Sequence, residues 1–129
     1  MIVVDTNVIA YLILPCKYTE AVERLRSTDD EWIAPDLWIH EMLSILVQNE
    51  RHGQLESSDC MEILEDALAL MKENTHTVAP EKTLRVATQT NCSAYDSQFI
   101  ALARDFELKL YTFDRKVLRS CPDIAIKPE

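Results

Sequence analysis

Glycine, histidine and cysteine are all scarce in this chain of 129 residues. A glycine-rich phosphate loop needs several glycines, and Gly53 is the only one, so nucleotide binding through a G-x-G-x-x-G or Walker motif is excluded. The histidines show no H-x-H or H-E-x-x-H spacing, which makes a zinc site improbable. The 4 cysteines are far apart and form no C-x-x-C pair, which predicts reduced thiols in a cytoplasmic protein.

Long apolar runs and positive charge are lacking as well. The N-terminal apolar stretch is broken by Asp5 and Asn7 and ends at Pro15, so it predicts neither a membrane span nor a signal peptide. The chain has 13 Lys and Arg against 22 Asp and Glu, a net charge of −9. This balance counts against nucleic-acid binding, because phosphate contacts need Lys or Arg locally.

What the chain does have is an alternation of short β-rich runs with longer helical patterns. The predicted strands are Ile2–Val4, Glu31–Ala34, Thr75–Val78, Leu108–Thr112 and Ile124–Ile126. The predicted helices are Thr19–Ser27, Leu37–Arg51, Ser58–Glu73, Glu81–Thr90 and Asp96–Phe106, with a short turn at Arg115–Arg119. Together they predict one α/β domain over residues 1–129, with a mostly parallel central sheet of about five strands and helices on both faces.

Two carboxylates follow predicted strands. Asp5 comes after Ile2–Val4, and Asp114 comes after the strand that contains "KLYTF". In open parallel sheets the ligand site lies beyond the carboxyl ends of the strands, so both are expected at the same edge of the sheet. A simpler explanation stays open for each, since an aspartate ahead of a helical segment caps it and contributes about 1 kcal/mol.

Two more carboxylates are on predicted helices. Asp96 lies within an apolar stripe beside Phe99 and Ile100, and a capping box with Ser93 is the alternative. Glu41 lies at the border of an apolar helix face, where an ordinary amphipathic position is the alternative. If all four acids converge, they place several negative charges in one pocket. Clustered oxygens without histidine or thiolate suit Mg²⁺ or Mn²⁺.

Three stretches of the chain together resemble the PIN-domain nucleases, and within them the VapC-type toxins of bacterial and archaeal toxin–antitoxin pairs. They are "IVVDTNVIAYL", "WIHEMLSIL" and "SAYDSQFIALARDFELKLYTFDRKVL", in the family's order. The resemblance covers essentially the whole chain, and the last stretch is the most specific. It implies a PIN-like three-layer α/β/α fold and a metal-dependent endoribonuclease, the toxin of a type II toxin–antitoxin pair.

Carried over residue by residue, the family's acidic site falls on Asp5, Glu41, Asp96 and Asp114. The resemblance implies Mg²⁺ or Mn²⁺ bound directly by Asp5 and Asp96, with Asp114 and Glu41 completing the set of ligands or holding water. Polar residues matched to positions beside these acids, where they are expected to orient them, are Thr6, Asn7 and Thr112. Ser97 stands where many relatives have Ala or Cys, a departure that is not expected to disturb the site.

The same resemblance implies an RNA substrate. Without the four site acids, the 22 acidic residues fall to 18 against 13 basic ones, which is still −5. The candidate RNA contacts are Arg115, Lys116 and Arg119. The alternative for these three is a solvated surface, and so few basic contacts suit a narrow, structured RNA target.

The family also implies a cognate antitoxin and a homodimer. The run "DCMEILEDALALM" has an apolar helix face that is a candidate dimer surface, although core packing is the commoner role of such a stripe.

The residues fit three other functions less well. A phosphoacceptor receiver domain usually has two adjacent acids after its first strand, an acceptor Asp after a middle strand, and a full helix after a Lys-Pro. Here Asp5 stands alone, "THTVAP" contains no Asp, and one residue follows Pro128. A D-x-D phosphatase lacks its general acid, because Asn7 replaces the second Asp. A catalytically silent PIN-like binding module usually lacks a site acid, whereas all four are present.

Overall fold

A parallel β-sheet forms the centre of the fold in the computed structural model, which describes residues 1–129. Its strands are β1 (Ile2–Val4), β2 (Trp32–Pro35), β3 (Thr75–His76), β4 (Leu110–Tyr111) and β5 (Ala125–Ile126). They lie in the order β3-β2-β1-β4-β5, and every neighbouring pair is parallel. This confirms the predicted mostly parallel sheet of about five strands. The residues of β1 are buried because it is a central strand of a parallel sheet that helices cover on both faces.

Strand β1 lies between β2 and β4 in the sheet. Ile2 is opposite Trp32 of β2, and Val3 is opposite Leu110 of β4. The strand order therefore reverses between β1 and β4, and ligands of open α/β sheets bind at such a reversal, beyond the carboxyl ends of the strands. The backbone N–H of Asp5 donates to the carbonyl of Tyr111 at 2.9 Å. This bond fixes Asp5 beside the end of β4.

Seven helices cover the sheet. They are α1 (Thr6–Ile13), α2 (Thr19–Thr28), α3 (Leu37–Arg51), α4 (Ser57–Met71), α5 (Pro80–Thr90), α6 (Ala94–Phe106) and α7 (Arg115–Ser120). Helix α1 packs against α2, α3 and α4, whereas α6 packs against α5 and crosses β1, β2 and β4. Parallel strands are joined by right-handed crossovers, so the two helix groups lie on opposite faces and complete the predicted three layers.

Helix α1 corrects the sequence analysis, which assigns no helix at Thr6–Ile13. The segment is helical because Asp5 accepts from the first helical N–H and because Val8 and Ile9 are fully buried. A short apolar run of this kind reads equally well as a strand or a buried helix. The predicted turn at Arg115–Arg119 is also a regular helix, α7.

The apolar stripe of α4 is used mainly in the core, where Ala67 and Met71 are buried. One side of α4 stays open, and Met61 is 59% exposed there. Between α3 and α4 lies an apolar groove of about 350 Å³, whose hydrophobic residues are Leu43, Leu46, Val47, Cys60, Met61 and Leu64. All 4 cysteines are free. None of the helices has both the length and the apolar character needed to cross a membrane.

Candidate active site

Asp5 is the most buried of the four predicted site acids. Its side chain is fixed at the end of β1, and the residue is 8% exposed. Oδ1 accepts from the backbone N–H of Thr6 at 2.7 Å, and Oδ2 accepts from Thr112 Oγ1 at 2.6 Å. The first bond is a helix-capping contact, so Asp5 does cap α1. A cap does not require burial against a distant strand, and burial of a carboxylate is costly.

Thr112 connects Asp5 to Asp114. Thr112 is fully buried, and its Oγ1 both donates to Asp5 and accepts from the backbone N–H of Asp114 at 3.0 Å. Asp114 in turn caps α7, because its Oδ1 accepts from the N–H groups of Lys116 and Val117 at 2.9 and 3.0 Å. Both capping bonds use the same oxygen. The other carboxylate oxygen of Asp114 is therefore available to a ligand.

Glu41 and Asp96 come from helices on opposite faces of the sheet. Thr6 Oγ1 donates to Glu41 Oε1 at 2.7 Å, which ties α3 to the start of α1. Ser93 caps α6 by accepting from the backbone N–H of Asp96 at 3.0 Å, which is part of the capping box that the sequence left open as the alternative for Asp96. Asn7 Oδ1 accepts a longer bond of 3.4 Å from the N–H of Phe113.

These residues meet in one pocket of about 340 Å³. Its lining consists of Asp5, Thr6, Asn7, Glu41, Ser44, Ile45, Asp96 and Asp114. The structure thus brings all four predicted acids together, with Thr112 behind Asp5. Sequence reasoning missed Ser44 and Ile45, which follow Glu41 by three and four positions on α3. Helical spacing places such neighbours on one face, so the signal was present once Glu41 was chosen.

Burial and mutual repulsion dominate the electrostatics of this acidic pocket. Burial raises the pKa of Asp5 from 3.8 to about 7, with further increases from Glu41 and Asp96 and decreases from its hydrogen bonds. Burial also raises the pKa of Glu41, and Asp96 adds to that shift. The pKa of Asp96 is raised by burial and then by Asp114, while Ser93 and Lys116 lower it. None of the four acids forms an ion pair, since the ion pairs of the structure lie elsewhere.

The predicted RNA contacts lie outside the lining of the pocket. Arg115, Lys116 and Arg119 are exposed on α7 and form no ion pair. Lys116 is near enough to Asp96 to lower the pKa of that carboxyl. Its charge therefore favours the ionised form of one acid of the pocket.

The donor set of the pocket suits a hard divalent cation. Its charged groups are all carboxylates, and a cation would offset the burial and the mutual repulsion that raise three of their pKa values. No group of three or more His, Cys, Asp or Glu side chains is already gathered tightly enough to hold a metal ion. Mg²⁺ commonly keeps several waters and uses only one or two carboxylates, so a loose arrangement of this kind matches its chemistry.

Comparison with known proteins agrees with this architecture. The family model of the PIN domain matches residues 2–121. The chain belongs to the PIN domain family. It is 29% identical over 127 residues to Ribonuclease VapC3 of Pyrobaculum aerophilum, covering 96% of this chain and 97% of that protein.

Two solved structures share the PIN fold of this chain. The toxin–antitoxin complex from Klebsiella pneumoniae superposes with a TM-score of 0.72 at 14% identity, over 100% of this chain and 98% of that one. FitAcB from Neisseria gonorrhoeae superposes with a TM-score of 0.74 at 17% identity, over 99% and 98%. At these identities the likeness establishes the fold and leaves the activity to be argued from the site.

Proposed function

We propose that this PIN domain is an endoribonuclease that hydrolyses RNA phosphodiester bonds with Mg²⁺ or Mn²⁺. The observation that carries the proposal is the convergence of Asp5, Glu41, Asp96 and Asp114 on one pocket in which none of them forms an ion pair. A structural role alone does not account for it, because capping needs neither the burial of Asp5 nor the approach of Glu41. The similarity to a protein named as a ribonuclease supports the same conclusion.

Each side chain has a proposed role at the site. Asp5 and Asp96 bind the divalent ion directly, and Asp114 and Glu41 complete its ligand set or position water. When bound, the ion supplies activation of water and compensation of the charge that develops on the phosphate. Thr112 holds the carboxylate of Asp5 and the backbone of Asp114 in fixed relation, as polar groups behind metal ligands commonly do.

The protein must bind RNA although its net charge is −9, which repels the phosphates. Lys116 lies near Asp96, and with Arg115 and Arg119 it forms the proposed phosphate-binding patch on α7. A few local contacts of this kind give modest general affinity for RNA, since affinity grows with the number of phosphates neutralised. The proposed substrate is therefore a narrow, structured RNA target.

The similarity to a toxin–antitoxin complex supports a biological role as the toxin of a type II pair. The proposed partners are a cognate antitoxin and a second copy of this chain, and the proposed compartment is the cytoplasm. The proposed extent of the PIN domain is the whole of residues 1–129, of which the family model matches 2–121.

The test is cleavage of RNA by the purified protein in Mg²⁺, in Mn²⁺ and in chelator. Asp96→Asn should abolish cleavage, since it removes a carboxylate charge from the pocket while leaving the backbone N–H that Ser93 caps. The matched control is Asp66→Asn, which changes an exposed aspartate on α4 and should leave the rate unchanged. Equal cleavage by Asp96→Asn, or full activity in chelator, would contradict the proposal. A wild type that binds RNA without cutting it would indicate the silent binding module instead.

A further inference from the structure

Three aromatic side chains form a cluster close to the acidic pocket. This aromatic trio consists of Tyr11 on α1, Tyr18 just before α2, and Phe113 just after β4. The ring centroids of Tyr18 and Phe113 are 4.8 Å apart, and Tyr11 lies 5.1 Å from Tyr18 and 5.2 Å from Phe113. Lys17 Nζ lies 5.1 Å from the centroid of the Tyr18 ring. All three aromatic residues are only partly buried, so the cluster reaches solvent.

The trio adjoins the pocket through two of its residues. Tyr11 follows Asn7 by four positions on α1, which places it one helical turn along the face that carries Asn7 to the pocket. Phe113 immediately precedes Asp114, and its N–H donates to Asn7 Oδ1. The pKa of Tyr11 is raised by burial first, then by Cys16 and Tyr18, with the smallest contribution from Asp5. The trio therefore lies beside the acids, within range of their charge.

Packing of the hydrophobic core accounts for only part of the trio. Tyr11 and Phe113 pack against the core, whereas Tyr18 does not. The ring of Tyr18 contacts the other two rings and Lys17, and Lys17 forms no ion pair. A partly exposed aromatic cluster, with an unpaired ammonium group over one of its rings and a carboxylate pocket next to it, has the composition of a site for a base and its phosphate.

We propose that the aromatic trio and Lys17 form a subsite that stacks an unpaired RNA base next to the phosphodiester bond that is cut. Single-stranded RNA is generally bound in this way, by aromatic rings that take up splayed bases and by cations that contact the backbone. The inference rests on the proposed ribonuclease function, and it adds that the enzyme recognises an unpaired base next to the bond that is cut. It also explains how an acidic protein with few basic residues positions RNA, since stacking needs no net charge.

The test compares wild type with Tyr18→Leu, and Tyr18→Phe is the control that keeps the ring. Total RNA is incubated with each protein and Mn²⁺, and the cut sites are mapped by sequencing the new 5′ ends. Wild type and Tyr18→Phe should show a base preference at a fixed position beside the cut. Tyr18→Leu should cut about tenfold more slowly, with that preference flattened, since stacking on one ring contributes about this factor. Circular dichroism and melting temperature verify that the variants fold.

A synthetic RNA that carries the mapped site separates stacking from a merely structural effect. Replacing the preferred base by an abasic nucleotide should slow wild type about tenfold and leave the rate of Tyr18→Leu unchanged. If Tyr18→Leu keeps both rate and base preference, or if the abasic substitution slows it as much as wild type, the subsite is refuted while cleavage still supports the nuclease. If wild type cuts no RNA, binding of fluorescein-labelled heptauridylate decides. Binding lost in Tyr18→Leu would sustain the stacking subsite alone. Equal binding by Tyr18→Leu and wild type, or no binding by wild type, would refute the subsite.

Discussion

Replacing Asp5 by Asn should stabilise the metal-free protein at neutral pH, although it removes a capping carboxylate. The variant keeps an oxygen for the N–H of Thr6, but an amide nitrogen replaces the oxygen that accepts from Thr112 Oγ1, so the Thr112 hydroxyl proton loses its acceptor. That mismatch costs about 1 kcal/mol, the usual net value of one hydrogen bond. Wild type, however, must supply the free energy needed to keep a charged carboxylate in a buried site. Asn carries no charge, so the variant does not have this cost.

The magnitude follows from the pKa of Asp5. Its pKa of 3.8 rises to about 7 in the folded state. Between pH values of 3.8 and about 7, the folded protein therefore keeps a proton that the unfolded chain has lost. The native state then binds more protons than the unfolded state. The free energy of unfolding therefore falls as the pH rises through this window, and it is constant above it. The shift of about three units is worth at most about 4 kcal/mol, of which about 3 kcal/mol falls between pH 5 and pH 8.

Urea unfolding in the presence of chelator measures this difference directly. We expect the stability of Asp5→Asn relative to wild type to increase by up to about 3 kcal/mol from pH 5 to pH 8, so that the variant is the more stable protein at pH 8. Mg²⁺ at pH 8 should stabilise wild type and leave Asp5→Asn unchanged. Asp66→Asn, at an exposed position, should show no pH-dependent difference from wild type. A constant loss of about 1 kcal/mol in Asp5→Asn at both pH values would refute the reasoning and identify Asp5 as a cap only.

Three further variants test other parts of the structure. Thr112→Val should destabilise the protein by about 2 kcal/mol, because it leaves Oδ2 of the buried Asp5 carboxylate and the backbone N–H of Asp114 without their hydrogen-bond partner. It should also slow RNA cleavage about 10- to 100-fold, and a drop in stability without a drop in rate would contradict its positioning role. Ser97→Ala should stabilise the protein by about 1 kcal/mol, since the buried Ser97 hydroxyl has no hydrogen-bond partner; a loss of stability in urea would show that an unseen partner exists. Met61→Glu places a charge on the exposed side of α4, and light scattering should show the proposed homodimer reduced to a monomer if that face forms it. A dimer that persists would locate the interface elsewhere.

Much of the fold follows from sequence pattern because the strands are short, buried and separated by periodic helices. Helix α1 is the exception, since its eight residues are too few and too apolar for the helical period to be distinct from a buried strand. The strands are mostly shorter than predicted, as β4 illustrates: Leu110–Tyr111 is paired within the longer β-rich run Leu108–Thr112. Propensity marks where a strand can form, while its ends depend on the neighbouring strand.

Some residues of the site can also be predicted from sequence pattern, and others cannot. Asp5 and Asp114 are predictable from position, because parallel strands bring their carboxyl ends to one edge. Asp96 is indicated by its place within an apolar stripe, since a capping role does not require an acid on that face. Glu41 is weaker on its own, since helical periodicity leaves an ordinary border position open, and the family resemblance supports it. The aromatic trio depends on the distance between Tyr18 and Phe113, which are joined only by tertiary packing. No local pattern in the sequence indicates that contact.

The central claim is that the four acids bind a divalent ion, and calorimetric titration of Mn²⁺ into the purified protein tests it most directly. The account predicts binding to wild type and to Asp66→Asn, with loss of binding in Asp5→Asn and Asp96→Asn. It also predicts affinity that increases from pH 6 to pH 8, because the ion must displace the proton that Asp5 retains with a pKa of about 7. No binding to wild type, or equal binding to Asp96→Asn, would contradict it.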